Sequence, residues 1–219
     1  MRVELINTLS MTLVITSVAA VETRRLRLSA AAYVLQALIL VALLASFAKF
    51  NPALYWWAGT ALLTKAVLTP LLIFRAIPRG SDVEIKPLIG FGPSVVVAAL
   101  LMIGFYRLTH GSSALLLTAF SAQQELLRTN LAVAATVFAL GLYATLSRRD
   151  AIKTVIGLCL LENGVHLGLV SMAPNLPETA LFGVATEVVI TVLLLLYVIA
   201  GVRKEFGTTD TFQLRELQR

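Results

Sequence analysis

Seven apolar stretches, each long enough to cross a bilayer, recur along the chain at roughly residues 3–21, 30–49, 54–74, 92–109, 129–147, 151–173 and 179–202. They predict an all-α membrane protein of about seven transmembrane helices. The first stretch contains Ser17-Val18-Ala19, which resembles a signal-peptide cleavage site, but it lacks a basic start and is expected to be a retained helix. Gly92-Pro93 suits the start of the fourth helix, because proline loses nothing at a position whose N–H has no helical partner. The stretch 111–128 is apolar at Ala114-Leu115-Leu116-Leu117 and ends in Gln123-Gln124-Glu125; it is too short to span and is expected to be a surface or re-entrant segment. Loops 22–29, 50–53, 148–150 and 174–178 are short, so consecutive helices should pack as neighbours. The longest connection, 75–91, carries Pro78, Gly80, Pro87 and Gly90 and alternates Asp82 and Glu84 with apolar residues. It is expected to be a solvated loop, with docking of a partner as the alternative.

Composition agrees with lipid as the main solvent. The 219 residues are 58% hydrophobic and 14% charged, where a soluble domain carries about 25% charge. One cysteine, Cys159, excludes an internal disulfide and a paired-cysteine metal or redox site. His110 and His166 stand apart, without a metal-ligand pattern around them, so no metal is expected in this chain. No phosphate-binding glycine motif and no nucleophile elbow is present.

The net charge of +6 falls in short loops rather than on one face, a pattern of membrane topology and not of nucleic-acid binding. Arg24, Arg25, Arg27, Arg75, Arg79, Lys86, Arg148, Arg149, Lys153, Arg203, Lys204, Arg215 and Arg219 belong to one alternating set of connections, and Arg2, Lys49, Arg107 and Arg128 to the other. The positive-inside rule then places the N-terminus outside and the C-terminus in the cytoplasm.

Three charges lie inside spans, where each costs roughly 2.5–3.5 kcal/mol on insertion scales. Glu162, in Gly157-Leu158-Cys159-Leu160-Leu161-Glu162-Asn163-Gly164, is central to the sixth span, and Glu187, in Gly183-Val184-Ala185-Thr186-Glu187-Val188, lies inside the seventh. The short loop around Pro174 and Pro177 makes these helices antiparallel neighbours, with the carboxylates at similar depth. Lys65 is mid-span in the third helix, where Pro70 removes the N–H that would bond the carbonyl of Ala66. Buried helix–helix contacts would explain one such residue. Two centred glutamates and a lysine beside a helix break point instead to groups that take up and release protons, since desolvation favours the neutral form of carboxylates and ammonium groups alike. His166, four residues after Glu162, shares its helix face and extends the candidate relay, while Asn163 packs or orients. Arg107, Tyr106 and His110 fit a snorkelling boundary, and Tyr55, Trp56 and Trp57 an interfacial aromatic belt.

A three-helix unit with a glutamate centred in its second helix and another in its third, here GLCLLENGVHLGLV and LFGVATEVVITVLLLLYVI, resembles the K-type subunit of respiratory complex I (chain 4L) and the C-type subunit of multisubunit sodium/proton antiporters. With extra helices before that unit, among them LTKAVLTPLL, the chain is similar to the hydrogenase-4 component E family of membrane-bound nickel–iron hydrogenases and formate hydrogenlyases. One departure is Glu187, where that family often has aspartate. The resemblance implies a four-helix extension over 1–128, a K-subunit-like unit over 129–204 and a cytoplasmic tail over 205–219. It also implies a prokaryotic inner-membrane complex with antiporter-like subunits, a quinone-chamber-type (H-like) subunit and a peripheral redox arm. Nickel–iron and iron–sulfur centres would belong to those partners, with no cofactor in this chain.

The reading is therefore a non-catalytic transmembrane subunit of a complex-I-like oxidoreductase, carrying part of a proton path on Glu162 and Glu187, with Lys65 and His166 as further members. Two rivals remain: a self-contained proton-coupled secondary transporter, which would function alone, and a structural membrane anchor, which would tolerate loss of both glutamates.

Overall fold

Lipid offers no partners for backbone polar groups, so each apolar stretch satisfies its own N–H and C=O groups as a helix. The computed structural model describes residues 2–48, 52–77, 82–111, 121–172 and 178–210, without the side chains of 2, 3, 53, 91, 121–126, 178–189, 205 and 206. Among the described residues, seven long helices result. They are α1 (Arg2–Glu22), α2 (Leu26–Phe47), α3, α4 (Phe91–Gly111), α5 (Ser121–Ser147), α6 (Ala151–Met172) and α7 (Glu178–Phe206). Helix α3 is composite: α-helical over Ala53–Ala61, π-helical over Leu62–Leu68, and α-helical again over Thr69–Ala76. Among the described residues, six helices are long and apolar enough to cross a membrane, and α7 adds a 29-residue helix. The chain is an all-α, multi-pass membrane protein; the described residues form no strand, only two isolated bridges.

The fifth helix departs from expectation. It begins at Ser121 rather than near 129, so residues 121–128 continue the helix instead of forming a surface or re-entrant segment. Residues 112–120 of that segment lie outside the described ones.

The bundle is centred on α1, α2, α5 and α6. α5 and α6 make the most extensive contact, α2 packs on α1, α3 and α6, and α7 packs on α3 and α6. Glycines permit the closeness of α5 and α6: a Cβ on Gly164 would lie 2.7 Å from Phe138 Cα and 2.8 Å from Ala134 O.

Four connections meet at one end, as an alternating path requires. The Leu26 N–H donates to Asp82 O at 2.8 Å, Glu84 N–H to Arg24 O at 2.8 Å, Leu88 N–H to Ser147 O at 3.1 Å, and Ala151 N–H to Thr209 O at 3.2 Å. The segment 82–90 is thus a strap across the α1–α2 and α5–α6 turns, not the solvated loop expected. Its Asp82 carboxylate also accepts from Arg27 N–H at 2.9 Å, an acid placed at the positive end of α2.

The strap drives its alternation inward at Glu84, which is buried while Val83 is exposed. Arg148 Nη2 lies 2.5 Å from Glu22 Oε1 and Nη1 lies 3.5 Å from Glu84 Oε1, and Lys153 Nζ lies 3.9 Å from Glu84 Oε2. Ser94 of α4 donates to the same Glu22 oxygen, and Lys153 Nζ also donates to Ala20 O and Val21 O at 2.9 and 3.0 Å. Asp150 accepts from Ile152 N–H at 2.9 Å, opening α6. Burial pushes the Glu84 carboxyl upward, opposed by Lys153 and Arg148, and burial also raises Asp150.

Two apolar cores divide the bundle. One gathers Leu13, Leu43, Phe47, Trp57, Val137 and Leu167; the other, toward the strap, gathers Val21, Ala30, Ile73, Ile152, Ile156 and Leu160. The polar residues of α2, α3 and α6 lie between them.

Candidate functional site

Where the two cores meet, the helices place Gln36 of α2, Lys65 of α3, and Glu162, Asn163 and His166 of α6. Gln36, Lys65, Asn163 and His166 are buried. Lys65 Nζ donates to Asn163 Oδ1 at 2.7 Å and to Glu162 Oε1 at 3.2 Å. Asn163 Nδ2 in turn donates to Gln36 Oε1 at 2.7 Å. His166 Nε2 is 3.6 Å from Glu162 Oε1, too long for a hydrogen bond. Among the described residues, both ring nitrogens of His166 are buried without a hydrogen-bond partner, as is Gln36 Nε2.

The break at Lys65 takes a specific form. Instead of a simple proline kink, the backbone widens to π geometry over Leu62–Leu68, and Thr69 N–H donates to Thr64 O, five residues back. Pro70 withholds the N–H that α geometry would need next, and the wider turn absorbs the defect. Lys65 sits in that turn and reaches across to α6.

Glu162 occupies the border of the cluster. Its side chain is 25% exposed, against 1% for Lys65. The exposed side lines a cleft of about 350 Å³ between α6 and α7, walled by Leu158, Val165 and Leu169 on one side and Thr191, Val192 and Leu195 on the other. Glu187 belongs to α7, one helical turn before Thr191; its side chain lies outside the described residues.

The structure therefore brings together Lys65, Glu162 and His166. It adds two residues that sequence reasoning undervalued. Asn163, expected only to pack or orient, is the shortest contact of Lys65, and Gln36 completes the chain of amides. Gln36 is the one amide in α2 and lies mid-helix in a mostly apolar run, and that is the signal that could have found it. Trp57 corrects another expectation: it is 2% exposed and meets His166 edge to face at 5.3 Å, while Trp56, 70% exposed, and Tyr55 face outward. Tyr106 and His110 stack on each other at 4.0 Å on α4, away from the cluster.

A buried polar stripe on α2 continues from Gln36 through Tyr33 to Ser29. The Tyr33 hydroxyl lies against Cys159 and Asn163. Ser29 Oγ donates to Ala20 O at 2.5 Å, the same carbonyl that accepts from Lys153. Polar groups thus recur from the mid-helix cluster to the ionic network under the strap.

Replacing Asn163 by leucine is expected to cost about 1–3 kcal/mol, because it leaves Lys65 and Gln36 each short of a buried partner. Thermal unfolding of the purified membrane complex measures it, and a leucine variant as stable as the parent would contradict the bonding described.

Residues 129–219 match the family described as NADH-ubiquinone/plastoquinone oxidoreductase chain 4L. No solved structure matches. The chain is 30% identical to hydrogenase-4 component E of Escherichia coli strain K12, over 98% of this chain and 97% of the relative. The same identity and coverage hold for the hydrogenase-4 component E proteins of Escherichia coli O157:H7 and Shigella flexneri. A relative at this identity over nearly its whole length, together with a chain 4L unit on the helices that carry Glu162 and Glu187, shows that the chain belongs to the hydrogenase-4 component E family.

Proposed function

We propose that the chain is a transmembrane subunit of a complex-I-like hydrogenase of the prokaryotic inner membrane and that it carries part of that complex's proton path. The carrying observation is the position of Glu162. Its carboxylate is partly exposed to the α6–α7 cleft, and one of its oxygens lies 3.2 Å from the buried ammonium of Lys65 and 3.6 Å from His166. Such a carboxylate can exchange a proton with cleft water on one side and respond to buried charge on the other. A proton taken up by Glu162 removes the counter-charge of Lys65, so a change at one group is felt at the other in a medium that screens poorly.

In this reading Glu187, on the helix facing the cleft, is the second carrier, and His166 is an additional acceptor beside Glu162. Asn163 and Gln36 hold Lys65 in place. The unit 129–204 bears both glutamates, and the extension 1–128 supplies Lys65 and Gln36 to it. The termini follow the basic residues, with the N-terminus outside and the C-terminal tail in the cytoplasm. Antiporter-like subunits and a quinone-chamber-type subunit flank the chain, and nickel–iron and iron–sulfur centres reside in the peripheral arm, leaving this chain to move protons rather than electrons.

The test is Glu162→Gln, Glu187→Gln and the double variant in the assembled complex, with redox turnover and proton translocation measured separately in vesicles. Glutamine preserves size and one hydrogen-bond acceptor, so assembly is expected to persist while the protons moved per turnover fall. Undiminished translocation in the double variant would refute the relay and leave the anchor reading in its place.

A further inference from the structure

Three cations converge on one cleft at the end of the bundle that collects the connecting segments. Arg75 lies in the last turn of α3, and Arg203 and Lys204 lie in the last turn of α7. The cleft between these helices has a volume of about 340 Å³, and Leu196, Ile199 and Ala200 form its apolar wall. Basic residues are ordinary near this boundary, and several of them are neutralised: Arg148, Arg149 and Lys153 each pair with a carboxylate. Among the described residues, no acidic side chain forms an ion pair with Arg75, Arg203 or Lys204. Like charges brought to one cleft repel one another, and an anion between them would relieve the repulsion.

The order of residues along α7 says what kind of anion fits. Leu196, then Ile199 and Ala200, then Arg203 and Lys204 succeed one another turn by turn, over about 10 Å of helix. With the last helix crossing the bilayer over the expected 179–202, the apolar part of the wall falls within the span and the basic part just beyond its end. An inorganic anion would leave the apolar wall unused, and an acidic peptide would have to enter hydrocarbon to cover it. An amphiphile with a negative headgroup meets both halves at once.

We propose that this cleft binds an anionic phospholipid, with its phosphate between Arg75, Arg203 and Lys204 and an acyl chain along Leu196 and Ile199. The site is separate from the Glu162 cluster and does not depend on the proton reading. It joins α3, whose π-helical turn holds Lys65, to α7, whose contact with α6 forms the cleft beside Glu162, so a bound lipid would fasten the two helices that flank the cluster.

The experiment is native mass spectrometry of the whole complex in mild detergent, with this subunit released in the gas phase. The complex is first exposed to an equimolar mixture of phosphatidylglycerol and phosphatidylethanolamine. The parent subunit is expected to retain phosphatidylglycerol in preference by about tenfold, and Arg75→Gln/Arg203→Gln/Lys204→Gln to lower that retention by about tenfold and abolish the preference. Ala200→Phe, which narrows the cleft and keeps every charge, should lower retention as well. If the triple variant fails to assemble, Arg203→Gln alone is read in the same way. Equal retention of the two lipids by the parent, retention unchanged by removal of the cations, or a parent complex that retains no phosphatidylglycerol because a partner's acidic segment fills the cleft would each overturn the proposal.

Discussion

Replacing Arg148 by leucine is expected to destabilise the folded subunit by about 3–5 kcal/mol, the cost of stranding a buried charge. Arg148 is 3% exposed and holds Glu22 at 2.5 Å and Glu84 at 3.5 Å. Without it, Glu22, Glu84 and Asp150 share one buried cation, Lys153, already 3.9 Å from the nearer Glu84 oxygen. The strap loses its inner fastening, and with it the tie between the α1–α2 and α5–α6 turns.

The loss should depend on pH in a definite direction. Burial raises the Glu84 carboxyl above its ordinary value of 4.5, while Lys153 and Arg148 hold it down. Removing Arg148 lets it rise further. A carboxyl whose pKa is higher folded than unfolded binds its proton more tightly folded. Stability is then greatest below the unfolded value and falls as pH climbs through the folded one. The leucine variant should therefore lose more stability, relative to the parent, at pH 8 than at pH 5. Thermal unfolding of the purified complex at both values measures this. Adding Glu22→Gln should restore part of the loss, because it removes one of the stranded charges. A variant that unfolds with the parent at both pH values would show that the network contributes nothing.

Gly164→Ala and Gly141→Ala are expected to act on the same bundle from its centre. A Cβ on Gly164 would meet Phe138 Cα at 2.7 Å and Ala134 O at 2.8 Å, and one on Gly141 would meet Gly157 O and Leu161 Cα, both at 2.6 Å. These are backbone atoms, so no side-chain rotation relieves the overlap, and α5 and α6 must separate. Overpacking of this kind costs about 1–3 kcal/mol and more where backbone must move. Gly164 directly follows Glu162 and Asn163, so the separation also shifts both from Lys65. Lower thermal stability is expected, and on the proposed reading lower proton translocation with it. Gly201→Ala is the control, since none of the described residues lies within 4 Å of its new Cβ. Equal behaviour of the three alanine variants would contradict the close approach of α5 and α6.

The spans were legible along the chain because hydrocarbon imposes a simple rule, a long apolar run closed on itself by hydrogen bonds. The six spans whose starts and ends were read as runs of apolar residues appear within a few residues of expectation. The fifth helix was cut short in the reading because Gln123, Gln124, Glu125 and Arg128 interrupt its apolar character, yet helix continues through them. Glu162 and His166 were legible as a pair because a spacing of four on one helix fixes a shared face whatever surrounds it. The grouping of the basic connections was legible too, and the hydrogen bonds linking 24–26, 82–88, 147–151 and 209 place those segments at one end.

What tertiary structure alone decided is which faces meet. These helices are apolar on nearly every side, so periodicity does not mark an inner face as it would in water. Nothing in the local sequence around Lys65 says that its partners are Glu162 and Asn163, 97 and 98 residues away, or that Gln36 stands behind them. Trp57 had every property of a boundary residue, and only the packing of the bundle, His166 and the first apolar core together, buries it. Glu84 looked like the polar half of a solvated strap until Arg148 and Lys153, supplied by a turn and a helix far along the chain, took it inside. The reason is common to all of these. Helix formation is settled within a few residues, whereas the cost of burying a charge is met by whichever opposite charge the fold brings near, and that is a property of the assembled bundle.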